Sequence, residues 1–236
     1  MKISIVIPAR NEAESLQILV PRIIRVINRT KSLGPVELIL VDDASIDSTK
    51  MVINHYRRSY QNIKPIFLPK RSGQTRCIQA GFSLAKGDYI IRMDADLQDF
   101  PEDLPQFFKT FRQGADLAMG LRVRRKHRRL YRLAAYVYDF LVVLIFNSPL
   151  YANSGSFVGF KAKLVKNINF KKNDHRYLPL IAIRRGAKDI REVLVRHGER
   201  RFGVSKYKPL TKLFLGFFEV WQLFFRIKTG YYDVRH

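Results

Sequence analysis

Three apolar runs in the first hundred residues each end abruptly in a cluster of polar residues, and this pattern constrains the fold of the chain most strongly. The polar clusters begin at Pro8, Asp42 and Asp94. Stretches with the period and length of amphipathic helices separate the runs. Strands that alternate with such helices predict βαβ units, that is, an α/β domain with a mostly parallel sheet flanked by helices.

The predicted elements of the first 120 residues follow from this alternation. The predicted strands are Ile3–Ile7, Glu37–Val41, Ile63–Leu68, Tyr89–Met93 and Asp116–Met119, and the predicted helices are Glu12–Thr30, Ser48–Ser59 and Gln74–Ala85. Ser45 and Ser48 are candidate caps of the second helix, with Asp47 near its positive end. Because ligands of such sheets bind beyond the carboxyl ends of the strands, we expect the three polar clusters to meet in one site.

The charge of the chain points to an anionic partner. The formal net charge is +23, from 43 Lys and Arg against 20 Asp and Glu. Such a charge favours nucleic acid, an anionic membrane surface or phosphorylated substrates. No segment has the spacing of a common nucleic-acid-binding motif, and acidic clusters at the strand ends would repel a phosphate backbone. We therefore expect no nucleic-acid partner.

The residues after 120 are more basic and less regular. A helix predicted at Leu133–Phe146 is too short to span a bilayer and contains Asp139. A second helix, predicted at Pro209–Lys228, is rich in aromatic residues and basic at both ends, which suits a helix lying on a membrane surface; packing on the sheet is the alternative. The predicted units are a main domain at residues 1–207 and an amphipathic helix with its tail at residues 208–236.

The N-terminal apolar stretch is too short for a signal peptide and is followed at once by polar residues, so we expect it to be the first strand of the fold. The single cysteine, Cys77, cannot form a disulfide within the chain. One cysteine and five scattered histidines do not supply the four ligands of a structural zinc site, so we expect none.

Paired acidic residues at two strand ends are the main candidates for chemistry. Asp94 and Asp96 can hold a hard divalent cation, Mg²⁺ or Mn²⁺, and leave coordination positions for a diphosphate; a simple turn is the alternative. Asp42 and Asp43 can accept hydrogen bonds from a ribose or a base, and a capping turn is the alternative. No glycine-rich dinucleotide motif or P-loop occurs, so a metal and arginines would have to bind the phosphates.

In their order, these motifs resemble glycosyltransferase family 2, inverting enzymes with a GT-A fold, over nearly the whole chain. Val6–Glu12 is similar to the family's opening strand and nucleotide-binding turn, and Val41–Thr49 to the motif that contacts base and ribose. Ala85–Tyr89 and Met93–Gln98 are similar to the lead-in and the metal motif.

Further motifs resemble dolichyl-phosphate mannose synthases and bacterial polyprenyl-phosphate glycosyltransferases within that family. These are Asp-x-Asp-Leu-Gln followed by Pro101-Glu102, Gly120-Leu121-Arg122, His175–Pro179, and a cationic loop in which Arg201, Gly203, Ser205, Lys206 and Tyr207 match. Arginine and lysine around a Gly-Ser turn suit the binding of phosphates.

The resemblance implies roles for individual residues. The metal ligands would be Asp94, Asp96 and Gln98. The nucleotide-sugar would contact Pro8, Arg10, Glu12, Asp42, Asp43, Arg71, Gly73, Asp94 and Ala95. The acceptor phosphate would bind Arg122, Arg201, Ser205 and Lys206, and catalysis would involve Asp96, Arg122, Arg201 and Lys206.

The function implied is metal-dependent transfer of a hexose, from GDP-mannose or UDP-glucose, to polyprenyl phosphate. Transfer to a hydroxyl of a cell-surface polysaccharide or lipopolysaccharide precursor is the alternative. The protein is expected in the cytoplasm, peripheral at the inner face of the membrane. One segment departs from the relatives, since residues 151–158 contain no carboxylate and Val158 replaces an arginine. A phosphate acceptor is already ionised and needs little base catalysis, so the departure bears on the acceptor.

Overall fold

Strands and helices alternate through the first 120 residues, as the sequence pattern predicts. The computed structural model describes residues 1–122, 140, 142–150, 155–198 and 209–233, with side chains except at residues 209–217. The strands are β1 (Ile3–Ala9), β2 (Val36–Asp42), β3 (Ile63–Phe67), β4 (Tyr89–Arg92), β5 (Leu117–Arg122), β6 (Val158–Lys161) and β7 (Ile190–Val195). The α-helices are α1 (Ala13–Arg29), α2 (Thr49–Ser59), α3 (Gln74–Leu84), α4 (Leu104–Arg112), α5 (Leu178–Arg184) and α6 (Pro209–Lys228). Short 3₁₀ helices lie at Lys31–Leu33, Pro101–Asp103, Ala162–Leu164 and Asp174–Arg176.

The predicted caps of α2 are wrong in detail. Ser48 precedes the helix but makes no side-chain capping hydrogen bond. The Ser45 hydroxyl instead donates to Asp42. Asp47 Oδ1 accepts the Thr49 N–H at 3.0 Å, so the carboxylate satisfies a donor at the positive end of the helix.

The sheet has the strand order β3-β2-β1-β4-β6-β5-β7. β1 pairs in parallel with β2 and with β4, β3 is parallel to β2, and β7 is parallel to β5. Only β6 runs antiparallel to its described neighbours, β4 and β5. Ala9 pairs with Asp42, and Val6 pairs with Arg92. The polar residues that follow β1, β2 and β4 therefore emerge at the same edge of the sheet.

Two hydrophobic clusters cover the two faces of this sheet. Successive side chains of a strand point to opposite faces, and Ile5 and Ile7 belong to one cluster while Val6 belongs to the other. Helix α1 packs on the first face through Leu16, Leu19, Ile23 and Ile27. Helices α3, α5 and α6 contribute Ile78, Phe82, Ile181, Val220 and Leu223 to the second.

Helix α6 has features of both predicted alternatives, because one side packs in the core and another exposes aromatic side chains. Val220 and Leu223 are buried, whereas Phe218, Trp221 and Phe225 are 62%, 55% and 51% exposed. Among the described residues, no helix has the length and apolarity needed to cross a membrane. The helix predicted at Leu133–Phe146 falls mostly outside the described residues, although residues 140 and 142–146 are helical. The division of the chain after residue 207 stays a prediction.

Helix α3 lies so close to the sheet that position 81 has no room for a side chain. A Cβ at Gly81 would lie 2.3 Å from Val6 Cγ1 and 3.3 Å from Val41 Cγ2. We expect Gly81→Ala to lower the free energy of unfolding by about 1–3 kcal/mol, because overpacking outweighs the better helix propensity of alanine. Chemical denaturation measures the change. Ser83→Ala, at an exposed position of α3, is the control and should stay within about 0.5 kcal/mol of the wild type.

His175 is half-buried beside the start of α3, with its Nδ1 2.8 Å from Thr75 Oγ1. Burial, and then the positive charges of Arg92 and Arg176, lower the pKa of His175 to about 3. The imidazole therefore stays neutral in the folded protein, while the unfolded chain takes up a proton near pH 6.5. The contribution of His175 to the free energy of unfolding is therefore fully present above pH 6.5 and is lost as the pH decreases toward 3.

We expect His175→Asn to remove this dependence while keeping a polar partner for Thr75. In a plot of unfolding free energy against pH, the wild type should lose up to about 1.4 kcal/mol more per pH unit than the variant below pH 6. His55→Asn, at an exposed position of α2, is the control and should follow the wild type. Equal slopes for the two variants would contradict a His175 imidazole that stays neutral in the folded protein.

Candidate functional site

A cavity of about 820 Å³ opens beyond the carboxyl ends of β1, β2 and β4. The polar residues of all three strand ends border it, as the parallel arrangement predicts. Residues implicated by the sequence line the cavity at positions Pro8, Arg10, Glu12, Asp43, Arg71, Gly73, Asp94, Ala95 and Asp96. Its position and lining make it the candidate site.

The two carboxylates at the end of β2 have different environments. Asp43 borders the cavity and accepts the backbone N–H groups of Ser72, at 2.6 Å, and Gly73, at 3.0 Å. Asp42 is 3% exposed, accepts the Ser45 hydroxyl and is not among the described residues that line the cavity. Asp42 therefore closes the turn after β2, the alternative interpretation of this segment, and Asp43 is the member of the pair that can meet a ligand.

Each of the three polar clusters contains one non-glycine residue with a left-handed backbone. These residues are Asn11 (φ 54°), Ala44 (φ 50°) and Leu97 (φ 65°). This conformation is unfavourable for residues that carry a Cβ, so it persists only where contacts hold the loop. Asn11 shows such contacts, because its N–H donates to Ser45 Oγ at 2.9 Å and its Oδ1 accepts the Ile46 N–H at 3.0 Å. The strained turns direct the chain around the cavity.

Asp94 is held by Arg92, a buried arginine in the otherwise apolar strand β4. Arg92 is 4% exposed, and its Nη2 lies 3.2 Å from Asp94 Oδ1. Its Nη1 donates to the His175 carbonyl oxygen at 2.6 Å, and Gln74 Nε2 donates to Asp94 Oδ1 at 2.9 Å. Arg92 was not predicted from the sequence. Its signal was a single charge inside an apolar strand, since a buried charge requires a partner.

Asp94 and Asp96 are the residues of the cavity that could hold a divalent cation together with a substrate. Both border the cavity, and Asp96 is 7% exposed. The described part of the chain has no group of three or more His, Cys, Asp or Glu side chains that could bind a metal by itself. Two carboxylates fit Mg²⁺ or Mn²⁺ in a nucleotide site, where phosphate oxygens and water complete the coordination.

Gln98 connects the Asp94–Asp96 motif to the start of the predicted cationic loop. The Gly198 N–H donates to the Gln98 carbonyl at 2.9 Å, and Gln98 Nε2 lies 3.4 Å from the Gly198 oxygen. Gln98 is not among the described residues that line the cavity, so its role as a metal ligand stays a prediction. The predicted phosphate-binding residues Arg201, Ser205 and Lys206 lie outside the described residues.

Arg122 lies against a carboxylate that the sequence analysis did not single out. Its Nη2 is 3.0 Å from Ser156 Oγ and 3.6 Å from Asp99 Oδ1, and the Ser156 hydroxyl donates to Asp99 Oδ2 at 2.8 Å. Burial, and then the negative charge of Asp94, raise the pKa of Asp99 to about 6, although Arg122 lowers it. Ser156, in the segment that lacks a carboxylate of its own, thus contacts the carboxylate of Asp99, which lies three positions after Asp96. A third acidic residue beyond an Asp-x-Asp was the available signal.

A basic segment, residues 169–176, supplies another wall of the cavity, here called the basic wall. The cavity is lined by both signs of charge, namely the cationic residues Arg10, Arg71, Arg76, Lys171, Lys172 and Arg176 and the acidic residues Glu12, Asp43, Asp94 and Asp96. Guanidinium and ammonium groups suit phosphate oxygens, and carboxylates suit a cation or hydroxyl groups. The lysines of the wall were missed because the sequence does not indicate that this late segment returns to the strand ends.

Comparison with curated proteins finds undecaprenyl-phosphate 4-deoxy-4-formamido-L-arabinose transferases. The protein from Photorhabdus laumondii is 32% identical over 207 residues, which cover 87% of this chain and 63% of that protein. The protein from Yersinia enterocolitica is 30% identical over 207 residues, covering 87% and 62%. The chain therefore spans slightly less than two thirds of the length of these relatives.

Solved structures share the fold. Glucosyl-3-phosphoglycerate synthase from Mycobacterium tuberculosis, in complex with Mn²⁺, UDP and phosphoglyceric acid, has a TM-score of 0.70 at 19% identity, covering 96% of this chain and 78% of that chain. Mannosyl-3-phosphoglycerate synthase from Rubrobacter xylanophilus has a TM-score of 0.69 at 16% identity, covering 100% and 77%. These similarities confirm the predicted GT-A fold. The family model described as glycosyl transferase family 2 matches residues 4–168. Because this match agrees with the strand-end cavity and with the curated relatives, the chain belongs to glycosyl transferase family 2.

Proposed function

We propose that this protein transfers a sugar from a nucleotide-sugar to a polyprenyl phosphate, with inversion at the anomeric carbon and with a divalent cation at Asp94 and Asp96. The observation that carries the proposal is the strand-end cavity, which joins two carboxylates suited to a hard cation to a basic wall suited to a diphosphate. The curated relatives support the acceptor class, because their names specify undecaprenyl phosphate.

The donor would lie along the strand ends of β1 and β2, near Asp43, with its diphosphate toward Asp94 and Asp96. A cation bound there supplies positive charge that offsets the charge developing on the departing nucleoside diphosphate. Arg92 fixes the Asp94 carboxylate, so less reorganisation is needed when the donor binds. UDP and Mn²⁺ occupy the glucosyl-3-phosphoglycerate synthase structure, which makes a UDP-sugar with Mn²⁺ the first donor to test, ahead of GDP-sugars.

The proposed sugar differs from the one predicted from the sequence. The sugar predicted from the sequence is a hexose, mannose or glucose, whereas the relatives are named for 4-deoxy-4-formamido-L-arabinose, a pentose derivative. The hexose is therefore the part of the prediction that the relatives do not support. A UDP-linked 4-deoxy-4-formamido-L-arabinose takes its place in the proposal.

The acceptor phosphate would meet Arg122, whose guanidinium is oriented by Ser156 and Asp99. The predicted partners Arg201, Ser205 and Lys206 belong to a loop that begins at Gly198, which is bonded to Gln98 beside the Asp94–Asp96 motif. A phosphate oxygen is ionised at neutral pH and attacks the anomeric carbon without a general base. Arg122 would hold this nucleophile in line with the departing diphosphate.

Exposed apolar side chains support a peripheral position on the inner face of a membrane. Phe218, Trp221 and Phe225 of α6 are more than half exposed, and Phe140 and Leu144 are 65% and 67% exposed. The two helical segments touch through Phe146 and Phe224, whose ring centroids lie 6.3 Å apart. Aromatic side chains beside a net charge of +23 suit an anionic membrane surface.

Replacing Asp96 tests the metal-dependent transfer. We expect Asp96→Asn to reduce transfer of radiolabelled sugar to undecaprenyl phosphate by at least about 100-fold, because one of the two charged cation ligands is lost. Asp189→Asn is the control, since Asp189 pairs with Arg191 and is not among the described residues that line the cavity. Removing the cation with EDTA should stop the wild type, and Mn²⁺ should restore it.

The same assay separates the acceptors. Radiolabel in the organic phase supports a lipid phosphate, and a product found only in water, with a glycan hydroxyl as acceptor, would overturn that part of the proposal. An Asp96→Asn variant that transfers sugar at the wild-type rate would contradict the cation site.

The membrane surface is tested with vesicles. We expect the double variant Phe218→Ser/Phe225→Ser to bind vesicles of phosphatidylglycerol and phosphatidylethanolamine about tenfold or more weakly than the wild type, because two large apolar side chains no longer enter the interface. Co-sedimentation measures the binding. Gln222→Ala, at an exposed polar position of α6, is the control. Equal binding by the double variant would mean that another surface docks.

A further inference from the structure

The basic wall is fastened to the C-terminal part of the chain through a series of polar contacts. Glu219 of α6 accepts hydrogen bonds from Asn173 Nδ2 at 2.7 Å and from Arg176 Nη1 at 2.8 Å. Asn173 and Arg176 both line the cavity. The Glu219 side chain is 17% exposed, so this pair of charge-assisted bonds is partly shielded from water.

Contacts in the reverse direction strengthen the attachment. Asp174 of the basic wall is fully buried and pairs with Arg226 of α6 at 3.1 Å. The hydroxyl of Tyr232 donates to Asp174 Oδ2 at 2.7 Å, and that of Tyr231 donates to the Asn169 carbonyl at 2.8 Å. Carboxylates of both α6 and the basic wall therefore take part in the contacts that join them.

The basic wall in turn touches the residues around the proposed cation site. The Asn173 N–H donates to Thr75 Oγ1 at 3.1 Å, next to Gln74, whose amide donates to Asp94. Asn173 has a left-handed backbone, with φ 70°, a conformation that asparagine adopts more readily than most residues, and its N–H and side-chain amide are both hydrogen-bonded. Without Glu219, the Arg176 guanidinium would lose its carboxylate partner in a wall that also carries Lys171 and Lys172.

We propose that Glu219 is a positioning residue for the donor, which links docking of α6 on an anionic membrane surface to nucleotide binding in the cavity. The inference rests on the donor site of the proposed function. Glu219 lies on the helix whose other face exposes Phe218, Trp221 and Phe225. Docking restrains this helix and, through Glu219, restrains Arg176 and Asn173 before the donor arrives. Less conformational entropy is then lost on binding, so the donor binds more tightly.

Trp221 allows the docking of α6 on vesicles to be measured separately from the binding of the nucleotide. It is the single tryptophan of the chain and is 55% exposed on the docking face, so a blue shift of its emission reports docking. Binding of UDP with Mn²⁺ is measured by calorimetry with and without vesicles of phosphatidylglycerol and phosphatidylethanolamine. We expect vesicles to lower the Kd of the wild type about fivefold.

Glu219→Gln should keep the blue shift of Trp221 but lose the effect of vesicles on the Kd. Arg176→Gln should lose it as well, and the double variant should be no worse than either single variant, because both remove the same link. Gln222→Ala, on the same helix, should behave as the wild type. Phe218→Ser/Phe225→Ser leaves Glu219 intact, so it should lose the blue shift and the vesicle effect and keep the Kd measured without vesicles.

Two results would overturn the link. One is a Glu219→Gln variant in which vesicles still lower the Kd as in the wild type. The other is a wild type whose Kd does not change with vesicles although the emission of Trp221 shifts to the blue. A wild type that binds neither UDP nor GDP with Mn²⁺ would contradict the donor site itself, and the link with it. The first two results leave the donor site standing, so the two failures are distinguishable.

Discussion

The parallel pairing of β1 with β2 and with β4 is the constraint on which the site depends. It aligns Ala9 with Asp42 and Val6 with Arg92, so three polar clusters from distant parts of the chain end at one edge of the sheet. The buried aliphatic side chains of these strands hold the register, because a shift by one residue would turn the apolar side chains away from their cluster. Hydrophobic packing therefore sets the distances between the polar groups.

Buried ion pairs then fix the positions of side chains at the strand ends. Arg92 pairs with Asp94 two residues further along the chain and also donates to the His175 carbonyl, whereas Arg122 pairs with Asp99 from another segment. A buried charge without a partner is costly, so these pairs can form in few arrangements. In this way Arg122 of β5 meets Asp99 of the segment that follows β4. The basic wall gives the cavity a region suited to phosphates beside the carboxylates suited to a cation.

Much of this was predictable because it depends on local patterns. The strands of the first 120 residues, the three helices α1 to α3 and the meeting of the clusters follow from periodicity and from the rule for ligand sites in parallel sheets. Helix α4 was not predicted. The choice between Asp42 and Asp43 did not follow, because both end the same strand and only the Ser45 contact distinguishes them. The pairing of Arg122 with Asp99 did not follow either, because Asp99 lies on another segment of the chain.

The sequence by itself determined the α/β class, the strand-end clusters, the family and the presence of an amphipathic helix at Pro209–Lys228, since each is written in contiguous residues. The tertiary structure decided which side chains share a surface. It brought Lys171, Lys172 and Arg176 into the cavity and joined Glu219 to that wall. These contacts depend on how layers pack across the sheet, and packing between segments far apart in the chain leaves no periodic signal in a single sequence.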